Sequence, residues 1–251
     1  MQRFGDMNWA AASGGKVRGW ERMLQITEAL RLRMFRRFRK APAAIGAASA
    51  DEVERMLREL ELPATPLVHK AAELVTDLGP PALAAHALRT WAWGGVLALR
   101  DGLAHDRETF ALSALLHDLA LARRSPDLTC FAADGARQAV SLLTAWGASE
   151  STCRSVGDAI CLHLRLAVPK ELGAEAHLVH AGAALDVIGA RLSDVPRELA
   201  RRILELYPRE GTKAFFADAA ARECAAHPES RMALWVSLGF LDLIEKAPFE
   251  G

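Results

Sequence analysis

The stretch ALSALLHDLALARR, residues 111–124, sets His117 and Asp118 inside an apolar run that includes Leu112, Leu115, Leu116, Leu119 and Leu121. An imidazole and a carboxylate both cost free energy to bury without partners. Two more such groups occupy similar settings. His86 lies in PALAAHALRTWAWGGVLAL, just after Pro80 and Pro81. Asp186 lies in HLVHAGAALDVIGARL, with Ala183, Ala184 and Leu185 before it and Val187 and Ile188 after it. Any one of them alone reads as a core residue bonded to a carbonyl or an arginine. As a set they fall in the apolar middle of three separate predicted helices, and three helices can converge on one point in a bundle core. Two imidazole nitrogens and two carboxylate oxygens would then surround one divalent ion. That mixed set suits zinc, with iron or manganese as the other candidates.

The remaining histidines sort by surroundings. His69, His105 and His227 sit in polar or helix-end contexts and are expected at the surface. His163, in VGDAICLHLRLAV, has an apolar helical setting, and His177 and His180 share the stretch that carries Asp186.

The elements that must position these residues read as helices throughout. Ala, Leu, Arg and Glu dominate, all good helix formers, and no run of alternating β-branched residues predicts a strand. The fold class is therefore all-α. Breakers at LPATP (62–66), GPP (79–81), RDG (100–102), RRSPD (123–127), WGAS (146–149), VPKELG (168–173) and SDVP (193–196) divide the helices. SADEVERML (49–57) opens with a serine cap and acidic first-turn residues. Residues 1–50 read as an N-terminal arm ending in the small-residue linker APAAIGAASA, and residues 51–251 as the main domain. The arm holds a helix whose second half is basic, through Arg31, Arg33, Arg36, Arg37, Arg39 and Lys40. Beside them Leu30, Met34, Phe35 and Phe38 form a stripe expected to pack on the main domain. MALWVSLGFLDLIEK (232–246) reads as one closing helix. Trp91, Trp93 and this helix fit either core or the interface of a homo-oligomer, with core the expectation.

Lys+Arg and Asp+Glu are both 31, so no globally basic nucleic-acid binder is indicated. The four cysteines are scattered without a C-x-x-C pair, which argues against a disulfide framework and fits a reducing cytoplasm. No apolar stretch reaches the roughly 18 residues that span a membrane, so no membrane insertion is expected. The first residues lack the charged-then-apolar order of a signal peptide.

The order His86, then His117–Asp118, then Asp186 resembles the signature of HD-domain metal-dependent hydrolases. LPATPLVHKAAELV, HALRTWAWGGVLALRDGL, DRETFALSALLHDLAL, DGARQAVSLL, DAICLHL and HLVHAGAALDVIGARL follow one another as in the cyanamide hydratase-like branch. The resemblance covers roughly residues 60–250. It implies an HD-domain helical bundle with His86, His117, Asp118 and Asp186 as metal ligands. It also implies Asp118 and His163 in catalysis, and a further site role for His180. The chain departs from the pattern at Ala120, where the family has Gly, and at Ala132, where the related motif has Glu. The expected activity is addition of metal-activated water to a small cyanamide- or nitrile-like substrate. A phosphohydrolase acting on nucleotides or phosphate esters, a di-iron oxygenase and a non-catalytic relative are the alternatives. Arg89, Arg123, Arg124 and Arg165 are the nearest candidates for phosphate contacts.

Overall fold

The structure is a computed structural model that describes residues 3–38, 48–122 and 130–249, with the side chains of residues 32–38 outside that description. Among the described residues all regular structure is helical: α1 (Met7–Ser13), α2 (Gly19–Phe38), α3 (Ala50–Glu59), α4 (Pro66–Leu78), α5 (Pro81–Asp101), α6 (Arg107–Leu116), α7 (Leu119–Ala122), α8 (Phe131–Ala145), α9 (Glu150–His163), α10 (Ala174–Ile188), α11 (Arg197–Leu206), α12 (Thr212–Ala226), α13 (Arg231–Ser237) and α14 (Phe240–Glu245), with short 3₁₀ turns at Lys170–Leu172 and Leu192–Asp194. The helix starts follow local chemistry. Asp6, Ser49, Thr65, Asp106, Ser149 and Ser230 each accept a bond from the backbone N–H three residues on. Such a cap stabilises a helix by about 1 kcal/mol.

Helices α5 and α6 are buried along most of their length, which explains their apolar character on every face. Helix α10 packs on α5, α6 and α9, and α8 pairs with α9. Trp91 and Trp93 are core residues: one indole donates to the Leu60 carbonyl at 2.6 Å, the other to Asp186 Oδ1 at 3.0 Å. All four cysteines are free.

Four features differ from the sequence expectation. His117 and Asp118 do not lie mid-helix; they form the break between α6 and α7. His117 Nδ1 donates to the Ala114 carbonyl at 2.8 Å, the acceptor that a continuing helix would give to the Asp118 N–H. The closing segment is two helices, broken at Gly239, whose φ of 94° is left-handed. The first helix of the arm belongs to the main core, with Trp9 and Ala10 buried there. Leu30 does not pack on the domain and is 56% exposed. Met34, Phe35 and Phe38 fall outside the described side chains, and Arg39, Lys40 and most of the linker fall outside the described residues.

The contact between α5 and α10 is set by two glycines. A Cβ on Gly182 would lie 2.3 Å from the Thr90 carbonyl oxygen, and one on Gly94 2.8 Å from that of Leu178. These clashes involve backbone, so the helices would have to part. Gly182 and Thr90 lie one turn from Asp186 and His86 respectively, so parting would also pull those two side chains apart. Gly182→Ala should therefore lower stability by about 1–3 kcal/mol, as overpacked cores do. Gly19→Ala, at an exposed position with nothing within 4 Å of the new methyl, should leave it nearly unchanged. Thermal unfolding of the two variants checks this.

Candidate metal centre

His86 from α5, His117 and Asp118 from the α6–α7 break and His163 from α9 gather at the centre, with Asp186 and His180 of α10 alongside. His86 Nε2 lies 3.0 Å from His117 Nε2. Asp118 Oδ2 is 3.5 Å from the first of these nitrogens and 3.4 Å from the second. All three residues are buried, and these three atoms could hold a metal ion. The spacing fits. Ligands about 2.0 Å from a tetrahedral zinc-sized ion are about 3.3 Å from one another.

A neutral imidazole has one N–H and one lone pair. His117 spends its Nδ1–H on the Ala114 carbonyl. His163 spends its own on the Ile160 carbonyl at 2.6 Å. His86 gives Nδ1–H to Asp186 Oδ2 at 2.7 Å. Each Nε2 is therefore left as an acceptor. Those of His86 and His117 face each other and Asp118 Oδ2; that of His163 faces Asp118 Oδ1 at 3.5 Å. Asp118 Oδ1 is buried without a hydrogen-bond partner. The Thr90 hydroxyl makes only a 3.4 Å contact with His86 Nε2. Acceptors gathered around a carboxylate repel one another unless positive charge lies between them.

Asp186 is not gathered with these atoms. It lies behind His86, on the Nδ1 side, and its lone pairs are occupied. Oδ1 accepts from Arg89 Nε at 2.7 Å, Trp93 Nε1 at 3.0 Å and Arg209 Nη1 at 2.7 Å. Oδ2 accepts from His86 and, at 3.0 Å, from Arg89 Nη2. Arg89 is as fully engaged, its remaining donors going to the Tyr207 and Pro208 carbonyls and the Thr212 hydroxyl. Burial alone would raise the Asp186 pKa, but the His86 bond and the Arg89 charge outweigh it and hold the carboxyl well below the usual range. A carboxylate behind a histidine fixes its tautomer and orientation. Sequence reasoning missed Arg209 and Trp93 in this role and named Arg89 only as a candidate phosphate contact under the phosphohydrolase alternative. An arginine three residues after His86 in an apolar helix was the available signal for Arg89; Arg209 had none.

His180 lines the cavity beside the centre and donates Nδ1–H to the His163 carbonyl at 2.9 Å, steadying the end of α9. His177 bonds the Val168 carbonyl instead. His69 is exposed, while His105 and His227 are partly buried. Ala120 is buried with its methyl facing Gly135. Ala132 is buried in the core and is not among the cavity's lining residues.

The cavity has a volume of about 60 Å³, several times the 10–15 Å³ or so that one water needs. Beyond the polar cluster its walls are apolar, including Phe131, Val187, Phe216, Met232, Trp235 and Phe240. No lysine or arginine lines it among the described residues. Arg165 donates to the Phe4 carbonyl, and Arg123 and Arg124 lie outside the described residues. Compared with known proteins, the chain matches no family model and no curated sequence.

Burial lowers the pKa of His117, His163 and His180, most strongly for His163. The metal-free folded chain thus keeps them neutral, whereas the unfolded chain protonates them near their ordinary value of 6.5. These groups leave stability unchanged well above that pH and erode it below, each by up to about 1.4 kcal/mol per pH unit. Asp186 acts in a lower window, its contribution being lost only as pH falls below the carboxylate range. Urea unfolding of chelated protein should show stability dropping steeply between about pH 6.5 and 5, before ordinary carboxylates titrate.

Proposed function

We propose that His86, His117 and Asp118 bind one divalent ion, zinc by preference, and that the centre adds water to a small, largely apolar substrate. The observation that carries this reading is the meeting of two imidazole lone pairs with a buried carboxylate. Such an ion supplies an acidified water near neutral pH and polarises an electrophilic carbon.

The protein's own groups do the rest. Asp118 Oδ1, which has no other partner, accepts a hydrogen bond from the attacking water and aims it. His163 Nε2, 3.5 Å away, takes up the proton released and can return it to the substrate's developing negative charge. Its depressed basicity leaves the ring neutral and able to accept. His180 positions His163 through its carbonyl. Asp186, locked by Arg89 and Arg209, keeps His86 turned with Nε2 toward the ion. The apolar walls exclude bulk water, which strengthens each of these interactions.

This activity class agrees with the resemblance to HD-type hydrolases of the cyanamide hydratase-like branch. A nitrile or cyanamide group fits the small cavity better than a nucleotide, whose phosphates would find no cation on the described walls. The pairing of Asp118 Oδ1 with His163 Nε2 favours one second reading, a dinuclear centre in which these two residues would help hold a second ion.

Elemental analysis separates these readings. About one zinc per chain is expected. Two irons per chain would establish the dinuclear alternative, and failure to take up any metal would end both. His117→Ala and Asp118→Ala should abolish metal binding and turnover together, the latter followed as urea from cyanamide or amide from a nitrile panel. Asp186→Asn should weaken metal affinity by about 10–100-fold, as loss of a group that orients a ligand does.

A further inference from the structure

Helix α2 is built inside out. Its inward residues include the polar Glu21 and Gln25, both buried, with Ala29 beside them. The Glu21 carboxylate ties the helix to α1, accepting from Trp9 Nε1 and Arg18 N at 2.7 Å each. On the outer side Trp20, Met23, Leu24 and Leu30 are 59%, 64%, 57% and 56% exposed. At 3.6 residues per turn these four positions fall within about 120° of the helix circumference. Scattered exposed apolar residues need no explanation, but a stripe along one helix does.

The charge along the chain points to what covers it. Overall the sequence is neutral, yet residues 31–40 hold six Arg or Lys and no Asp or Glu. Helix α2 extends to Phe38, so Arg31, Arg33, Arg36 and Arg37 continue the element that carries the stripe. An exposed indole, an aliphatic stripe and a basic run on one helix match the requirements of an anionic membrane surface. The apolar face enters the boundary between headgroups and acyl chains while the cations meet the headgroups.

We propose that α2 docks this protein on anionic lipid surfaces, as a peripheral contact; no described helix is long and apolar enough to cross a membrane. Docking would also place an opening of the molecule. Ala29 lines a second cavity, which shares His180, Trp235 and Phe240 with the metal-centre cavity and reaches the exposed Leu243. The second cavity therefore lies beside helix α2 and shares part of its wall with the metal-centre cavity.

The test uses the full chain with vesicles of phosphatidylcholine alone or mixed with phosphatidylglycerol. Co-sedimentation should favour the anionic vesicles by at least about tenfold, since each basic residue near such a surface adds appreciable attraction. Raising salt from about 0.1 M to about 1 M should remove most of that preference, because the screening length shrinks from about 10 Å to about 3 Å. Brominated lipid should quench tryptophan emission in the unaltered protein, because Trp20 is the exposed one of the tryptophans. The double variants Trp20→Ser/Leu24→Ser and Arg36→Glu/Arg37→Glu should each lose binding by about tenfold or more, with metal content and Tm unchanged. Equal binding to both vesicle types, absence of quenching, or variants that bind like the parent would overturn the proposal. So would a dimer that Leu24→Ser dissolves, which would assign the stripe to a second copy of the chain.

Discussion

The centre depends on where three imidazole protons go. His86, His117 and His163 each commit Nδ1–H to a fixed acceptor, namely the Asp186 carboxylate, the Ala114 carbonyl and the Ile160 carbonyl. Every Nε2 then carries a lone pair, and all three point toward the Asp118 carboxylate. A structural hydrogen-bond network would alternate donors and acceptors. This one gathers acceptors, and in the metal-free protein burial disfavours the protonation of His117 and His163 that would relieve the conflict.

The rest of the fold maintains that arrangement. Glycines at 94 and 182 let α5 and α10 approach closely enough for His86 to meet Asp186. The break after Leu116 frees the Ala114 carbonyl for His117 and lets the next residue, Asp118, face the cavity. Arg89 joins Asp186 to the segment around Tyr207 and Pro208, so α10, α5 and the start of α12 are bound through one guanidinium. A buried ion pair of this kind is costly when half-made and is held here by saturating every donor.

Polarity is segregated. The cavity's polar lining is His86, His117, Asp118, His163 and His180, and the rest of its wall is apolar. The densest run of positive charge in the sequence falls instead at residues 31–40, in the second half of α2 and the residues that follow it. Helix α2 contributes Ala29 to the wall of the second cavity.

The sequence by itself determined the all-α class, the helix caps and most breaks, because these rest on propensity and on side chains within three or four residues. It also singled out His86, His117, Asp118 and Asp186, since a charged or polar group in an apolar run must have a partner wherever it ends up. Which partner it takes is decided only in three dimensions. Asp186 looked equivalent to Asp118, yet Arg209, 23 residues further along the chain, and Trp93, on another helix, saturate it and turn it into a support for His86. Leu30 looked like core for a similar reason, yet it is exposed. Periodicity reveals that a helix has an apolar face, but only packing decides whether that face turns toward the protein or away from it.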